Sequence, residues 1–424
     1  MSTPVWRSER TKPWRLVWLL AALLALSGCG TGAPASEAGS LPVTRGSTPS
    51  YPPTLDPARL ATIAAQRPGG SPVLPASLLP PITGSPCLLP GTGLATVTAV
   101  PAPSPGRTGT LTSGVVSDVF PGPCVDREYA QPLAFALDGR TLAIGGAATV
   151  ALYDPLSRRA LWVLPTPARP TAIAFAPDGT RLAIGLADGR VLLCRAVDGT
   201  VSQILDRPGR VYGSQDWYIA AGPITFSPDG LFLAGGYVGL VAVWPLAAGG
   251  EPHILGLNVS IIEALAFDAG GEYLRAVLPG SLSSNPSPNI HRWSTGDWRL
   301  VDSWTVPVKG ATCLTTTGTT LVTATETGIA AWVLSAAPPT RGDIPVPGPY
   351  SATTSMEQLA CSPRGDIVAG VTSAAHIYLW DATSRTVVVS YTGREVSATG
   401  VTLTADGATV AVVYSDGMVS LWQR

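Results

Sequence analysis

Between residues 171 and 205 the chain reads TAIAFAPDGTRLAIGLADGRVLLCRAVDGTVSQIL, four short runs of alternating apolar residues separated by Pro-Asp-Gly, Ala-Asp-Gly and Val-Asp-Gly. A period of two puts alternate side chains on opposite faces of a strand, and Asp-Gly suits the turns that join antiparallel neighbours. The pattern predicts a four-stranded meander, with strands a, b, c and d in chain order. Aligning the chain on the glycine of the first turn gives seven copies, at Gly139, Gly179, Gly230, Gly271, Gly318, Gly365 and Gly407. Four positions earlier stand Phe135, Phe175, Phe226, Phe267, Leu314, Cys361 and Leu403; three positions later stand Leu142, Leu182, Leu233, Leu274, Leu321, Val368 and Val410. Strand c repeats an aliphatic-x-x-aromatic pattern with one cysteine exception: Val150/Tyr153, Val191/Cys194, Val241/Trp244, Ile290/Trp293, Ile329/Trp332, Ile377/Trp380 and Val419/Trp422.

A unit of this kind recurring every 40 to 51 residues predicts blades stacked around an axis. The expected fold class is all-β, a seven-bladed β-propeller of four-stranded antiparallel blades. Strand c of the seventh copy, GMVSLW, ends at Trp422, and the chain ends at Arg424. A three-stranded blade would expose an unpaired edge and leave the ring open. The fourth strand is therefore expected from ahead of the first copy, with TLTSGVVSDVF at 110–120 as first choice and GLATVTAV at 93–100 as second. Over roughly residues 130–424 the chain resembles the WD-repeat family and its bacterial PDG-type relatives. Trp380-Asp381 matches the eponymous dipeptide and Tyr153-Asp154 approximates it, while the Gly-His opening and the buried Asp-His-Ser-Trp set are missing. The resemblance implies a scaffold that binds proteins, and says little about which ones.

The N-terminus changes the picture from a bare ring to an exported one. Arg7, Arg10, Lys12 and Arg15 precede the apolar run LVWLLAALLALS at 16–27, which reads as a signal peptide, too short to span a bilayer comfortably. Leu26-Ser27-Gly28-Cys29 resembles a bacterial lipobox, which implies acylation at Cys29 after removal of residues 1–28; an ordinary secretory signal is the alternative. Two or three acyl chains anchor a protein without a spanning helix. The expected address is thus the extracytoplasmic face of a cell membrane. Residues 29–92, dense in Pro, Gly, Ser and Thr, read as a tether, and 93–424 as the propeller.

Charge narrows the partners. The chain has 27 basic and 28 acidic residues, and loss of residues 1–28 leaves 23 and 27, a net of −4, which argues against a nucleic-acid surface. Export permits disulfides, and Cys87 and Cys124 bracket the closing segment, so they are expected to pair, with free thiols as the alternative. Cys194 and Cys361 sit in repeat columns and read as core fillers, and Cys313 as another buried thiol.

Candidate chemistry is sparse. His253, His291 and His376 belong to different copies and share no metal-ligand spacing, and no nucleophile elbow, zinc helix or phosphate loop is present. Asp188, Asp198 and Asp416 precede hairpin glycines, where turn chemistry accounts for them. No catalytic residue, metal or cofactor is expected. In a meander the a-b and c-d turns open on one face of the disc and the b-c and d-a connections on the other. The longer insertions, at 209–222, 279–289 and 345–357, all fall on the second face. Tyr212, Asp216, Trp217 and Tyr218 give it an amphipathic cluster suited to a partner, unless the loop folds over the rim. The expectation is a monomeric, non-catalytic platform for protein or peptide. The alternative is a propeller enzyme of lactonase, lyase or quinoprotein dehydrogenase type, with its site at the channel mouth.

Overall fold

The computed structural model describes residues 116–122, 130–208, 221–247, 250–257, 260–279, 288–308, 310–315, 320–325, 328–334, 339–344, 355–363, 365–373, 376–392 and 396–424. Every regular element among them is a strand, and the strands form seven four-stranded antiparallel sheets. Six sheets take their strands consecutively. The seventh is built from Ala398–Leu403, Thr409–Tyr414 and Met418–Gln423, with Val116–Pro121 as its outer strand. The chain is thus a seven-bladed propeller whose ring is closed by an N-terminal strand that overlaps the first-choice segment at residues 116–120; residues 93–100 and 110–115 lie outside the described residues. Strand a of each blade touches strand a of the next around the whole circle, including the seventh and the first.

The three repeating columns are one transverse row of each blade. Phe135 pairs with Leu142 and Leu142 with Tyr153; the same pairing runs from Phe226 through Leu233 to Trp244 and from Leu403 through Val410 to Trp422. The strand b member is 0–1% exposed in all seven blades, whereas Phe135, Phe175 and Leu314 of strand a are only half-buried, because strand a lines the central opening. The turn glycine fits its place: Gly139 has φ 70°, and its amide closes the turn onto Ala136 O at 2.9 Å. Glycine reaches that left-handed conformation without the steric penalty a side chain brings.

The core lies between blades. Each of the seven apolar clusters joins two neighbours: Leu142, Ile144 and Tyr153 of blade one pack on Ala411 and Val413 of blade seven, while Ala143, Val150 and Leu152 pack on Leu182 and Leu192 of blade two. Alternation along strands b and c therefore gives every blade two buried faces, and no blade is complete without both neighbours.

Strand d carries one extra residue opposite the strand c aromatic position in blades one, two, four and six. Val116–Pro121 has the same irregularity opposite Trp422. The closing strand thus takes the register of a true strand d.

One expectation is overturned. Cys313, in strand a of blade five (Thr312–Leu314), and Cys361, in strand a of blade six (Met356–Cys361), are a disulfide rather than core thiols, with Cα atoms 5.6 Å apart. Cys194 is a free, buried thiol, as its column suggests, and burial pushes its pKa up to about 12. The leader, Cys29, the tether, Cys87 and Cys124 all lie outside the described residues.

Candidate functional site

Tyr212, Asp216, Trp217 and Tyr218 lie outside the described residues, but the stems of their connection are defined. Pro208 is buried where the connection leaves blade two. It returns at Ala221, 1% exposed, whose amide bonds Leu186 O at 3.1 Å, and at Gly222, whose amide bonds Gly236 O at 2.7 Å. The b-c insertion of blade four springs from an equally fixed base. Buried Asn289 donates through Nδ2 to Val306 O at 2.8 Å and accepts from Val306 N at 2.9 Å, while Leu278 N bonds Asn289 O. Rigid stems fix where a loop begins and so which surface it serves.

Among the described residues, the same face holds most of the buried polar side-chain atoms that have no hydrogen-bond partner. They are Thr166 Oγ1 in the connection to blade two, Thr171 Oγ1 at the start of its strand a, Glu263 Oε2 before strand a of blade four, and His291 Nε2 near the start of its strand c. Burial pushes the Glu263 carboxyl up to about 7. His291 bonds Ser303 Oγ through Nδ1 at 2.9 Å and stacks on Trp293, and burial holds its pKa below the ordinary imidazole value. Buried polar groups are nearly always satisfied, so these exceptions mark positions not optimised for stability alone.

Among the described residues, turns of the opposite face satisfy their own polar groups. Asp138, Asp178, Asp229 and Asp406 each accept the amide two residues ahead in their a-b turns, at 2.9–3.0 Å. Asp198 in a c-d turn does the same at 3.0 Å. Ser294–Trp298 forms the c-d connection of blade four, and its Trp298 stacks on His253 of blade three at 5.3 Å. On the long-connection face, the short b-c hairpins at Asp188 and Asp416 are held by their own turns in the same way. A shallow notch of about 480 Å³ opens on the a-b and c-d turn face in blade one, lined by Gly139, Arg140, Asp154, Pro155, Leu156 and Leu161.

Blade four has an unusual interior. Arg275 and Arg292 pair across strands b and c, and Arg292 with Asp302 across c and d. Arg292 forms an ion pair with Asp302 and lies 4.7 Å from the Tyr273 ring centre and 5.3 Å from that of Trp304. Arg275 is 5% exposed, and its Nε and Nη1 have no hydrogen-bond partner. Its corresponding positions are Ala143, Ala183, Ala234, Val322, Ala369 and Ala411, so the anomaly was visible in the aligned sequence, although it lies outside the columns that define the repeat.

The structure does not bring the histidines together. His253 is in strand d of blade three, His291 in strand c of blade four and His376 in strand c of blade six. Among the described residues, no three His, Cys, Asp or Glu side chains are grouped as a metal ion would need.

No protein family matches the sequence, and no curated protein matches it. Among solved structures, the β-propeller domain of Cps50 (Swd1) from Myceliophteria thermophila is similar, with a TM-score of 0.57 and 16% identity over 73% of this chain and 99% of that one. At that identity the likeness bears on the fold alone.

Proposed function

We propose that the protein is a membrane-tethered, extracytoplasmic propeller that acts as a non-catalytic platform for a protein or peptide partner, through the face bearing the long connections. The observation that carries this reading is the asymmetry of the disc. Among the described residues, the turn face carries self-capped turns, while the other face receives the long connections and, beside two self-capped b-c hairpins, holds four buried polar atoms without a hydrogen-bond partner. A partner contributing hydrogen bonds and excluding water gains most on the second face. Cys29 supplies the anchor, and the Cys313–Cys361 bond favours an oxidising compartment. The protein is expected to be monomeric.

Proximity labelling in the native cell tests the reading, using the full chain, a Tyr212→Ala/Trp217→Ala variant and a Val197→Ser control on the turn face. The partner is expected with the wild type and the control, since the conservative Val197→Ser change leaves the long-connection face untouched, and lost with the double variant. Retention by the double variant with loss by the control would reverse the assignment of faces. A stoichiometric metal or quinone chromophore in the purified protein would favour the enzyme instead.

A further inference from the structure

The closing strand fixes where the chain enters the ring. Met418 follows the b-c hairpin and so lies at the long-connection face, while Trp422 lies at the turn face. Pro121 pairs with Met418 and Val116 with Trp422. The closing strand therefore begins at the turn face, on the outer side of blade seven. Large exposed aliphatic side chains lie on that same face. Leu137 (51% exposed) and Leu231 (50%) are in a-b turns, and Leu156 (89%) and Val197 (81%) are in c-d turns. Ile261 is the one comparable side chain among the described residues in a connection of the opposite face.

The geometry points to a second membrane contact, in which the turn face of blades one to three rests on the lipid surface with Leu137, Leu156, Val197 and Leu231 entering its interfacial layer. This inference rests on the reading of Cys29 as an acylated anchor. Leu137 and Leu156 belong to blade one, Val197 to blade two and Leu231 to blade three. Tips spread over three blades suit a fluid interface better than the groove a peptide needs. Exposed Arg140, Arg158, Arg159 and Arg195 are matched by Asp138, Asp154, Asp178, Asp198 and Asp229. Attraction is consequently apolar, without preference for anionic lipid. Such a contact is weak for a free ring, but a tether raises the local concentration of its partner surface into the millimolar range. Resting on this face leaves the long connections pointing away from the membrane.

The test uses the full chain without its leader, held by an N-terminal polyhistidine on phosphatidylcholine vesicles that contain a nickel-chelating lipid and a photoactivatable acyl chain. Cross-links are located by mass spectrometry. Cross-links at Leu137, Leu156 and Val197 are expected, at levels insensitive to salt. Leu156→Asp/Val197→Asp is expected to reduce them roughly five-fold without unfolding the ring. Cross-links confined to residues ahead of Val116, or found instead in 206–223 and 288–308, would overturn the inference. The anchor is read separately, from the mass of the Cys29 peptide of protein made in its native cell. An unmodified Cys29 with ring cross-links intact would remove the anchor reading and leave the contact standing.

Discussion

Glu263 and Arg275 sit twelve positions apart in blade four, and both hold buried polar atoms without a hydrogen-bond partner. For Glu263, burial raises the folded-state pKa to about 7, above the ordinary value of 4.5. The folded chain therefore keeps this proton to higher pH than the unfolded chain does. Its contribution to stability is complete below pH 4.5 and is lost as pH rises toward and through about 7, a loss on the order of 3 kcal/mol. Glu263→Gln removes that dependence, so the thermal midpoint of the variant is expected to exceed the wild type's at pH 8 and to match it near pH 5. Equal midpoints at pH 8 would show the carboxyl to be solvated. His291 works in the other direction: with its pKa held low, its contribution is lost as pH falls through the acid range. A difference curve between variant and wild type isolates the Glu263 part. At Arg275, burial opposes the guanidinium charge while Asp268 and Asp302 support it and Arg292 opposes it. Replacing a poorly compensated buried ion by an apolar group of similar volume is neutral or stabilising by about 1–4 kcal/mol. Arg275→Met is therefore expected to hold or raise the denaturation midpoint, whereas a fall of several degrees would show that the charge has a partner.

Among the elements, the Cys313–Cys361 bridge shows what a column reading misses. Cys361 lies four positions before its turn glycine and Cys313 five before its own, so alternation turns one toward the preceding blade and the other toward the following one. Cys313 of blade five and Cys361 of blade six consequently face each other across one interface, a parity the sequence contains. Reading each cysteine against its own column hid it. The main columns were legible because Leu142, Leu182 and their counterparts are buried in every blade by the same backbone geometry. Glu263 was not, because what distinguishes it is a buried carboxyl oxygen without a hydrogen-bond partner, which only packing reveals. A bridge with a sequence separation of 48 stabilises by up to about 4 kcal/mol through the unfolded chain. Cys313→Ser, Cys361→Ser and the double variant are expected to lose similar amounts, since either change removes the bond. A wild-type midpoint unmoved by reductant would set that contribution near zero.

For the whole molecule, stability and closure are one property, because each core cluster is shared between two blades. Blade seven closes only when Val116–Pro121 lies beside Met418–Gln423. Without it, the last strand presents free backbone groups along one edge, and the packing of blade seven on blade one loses its outer support. A repeat array whose end blade is incomplete loses more than one strand's worth of stability, since its neighbours rely on it for one of their two buried faces. The wording of the sequence around 110–120 is weak as a strand signal taken alone. Its role follows from the unpaired edge at the other end of the chain and from a register that repeats the strand d irregularity of blades one, two, four and six. A chain beginning at residue 110 is expected to elute as a folded monomer. One beginning at residue 125 lacks the strand and is expected to elute as aggregate, with its thermal transition broadened or absent. Adding a synthetic peptide spanning 110–122 to the shorter chain during refolding should recover part of the monomer. Recovery is the stricter measure, because it separates loss of the strand from incidental damage at a new N-terminus. A stable monomer from the shorter chain alone would mean that another segment fills the outer position of blade seven.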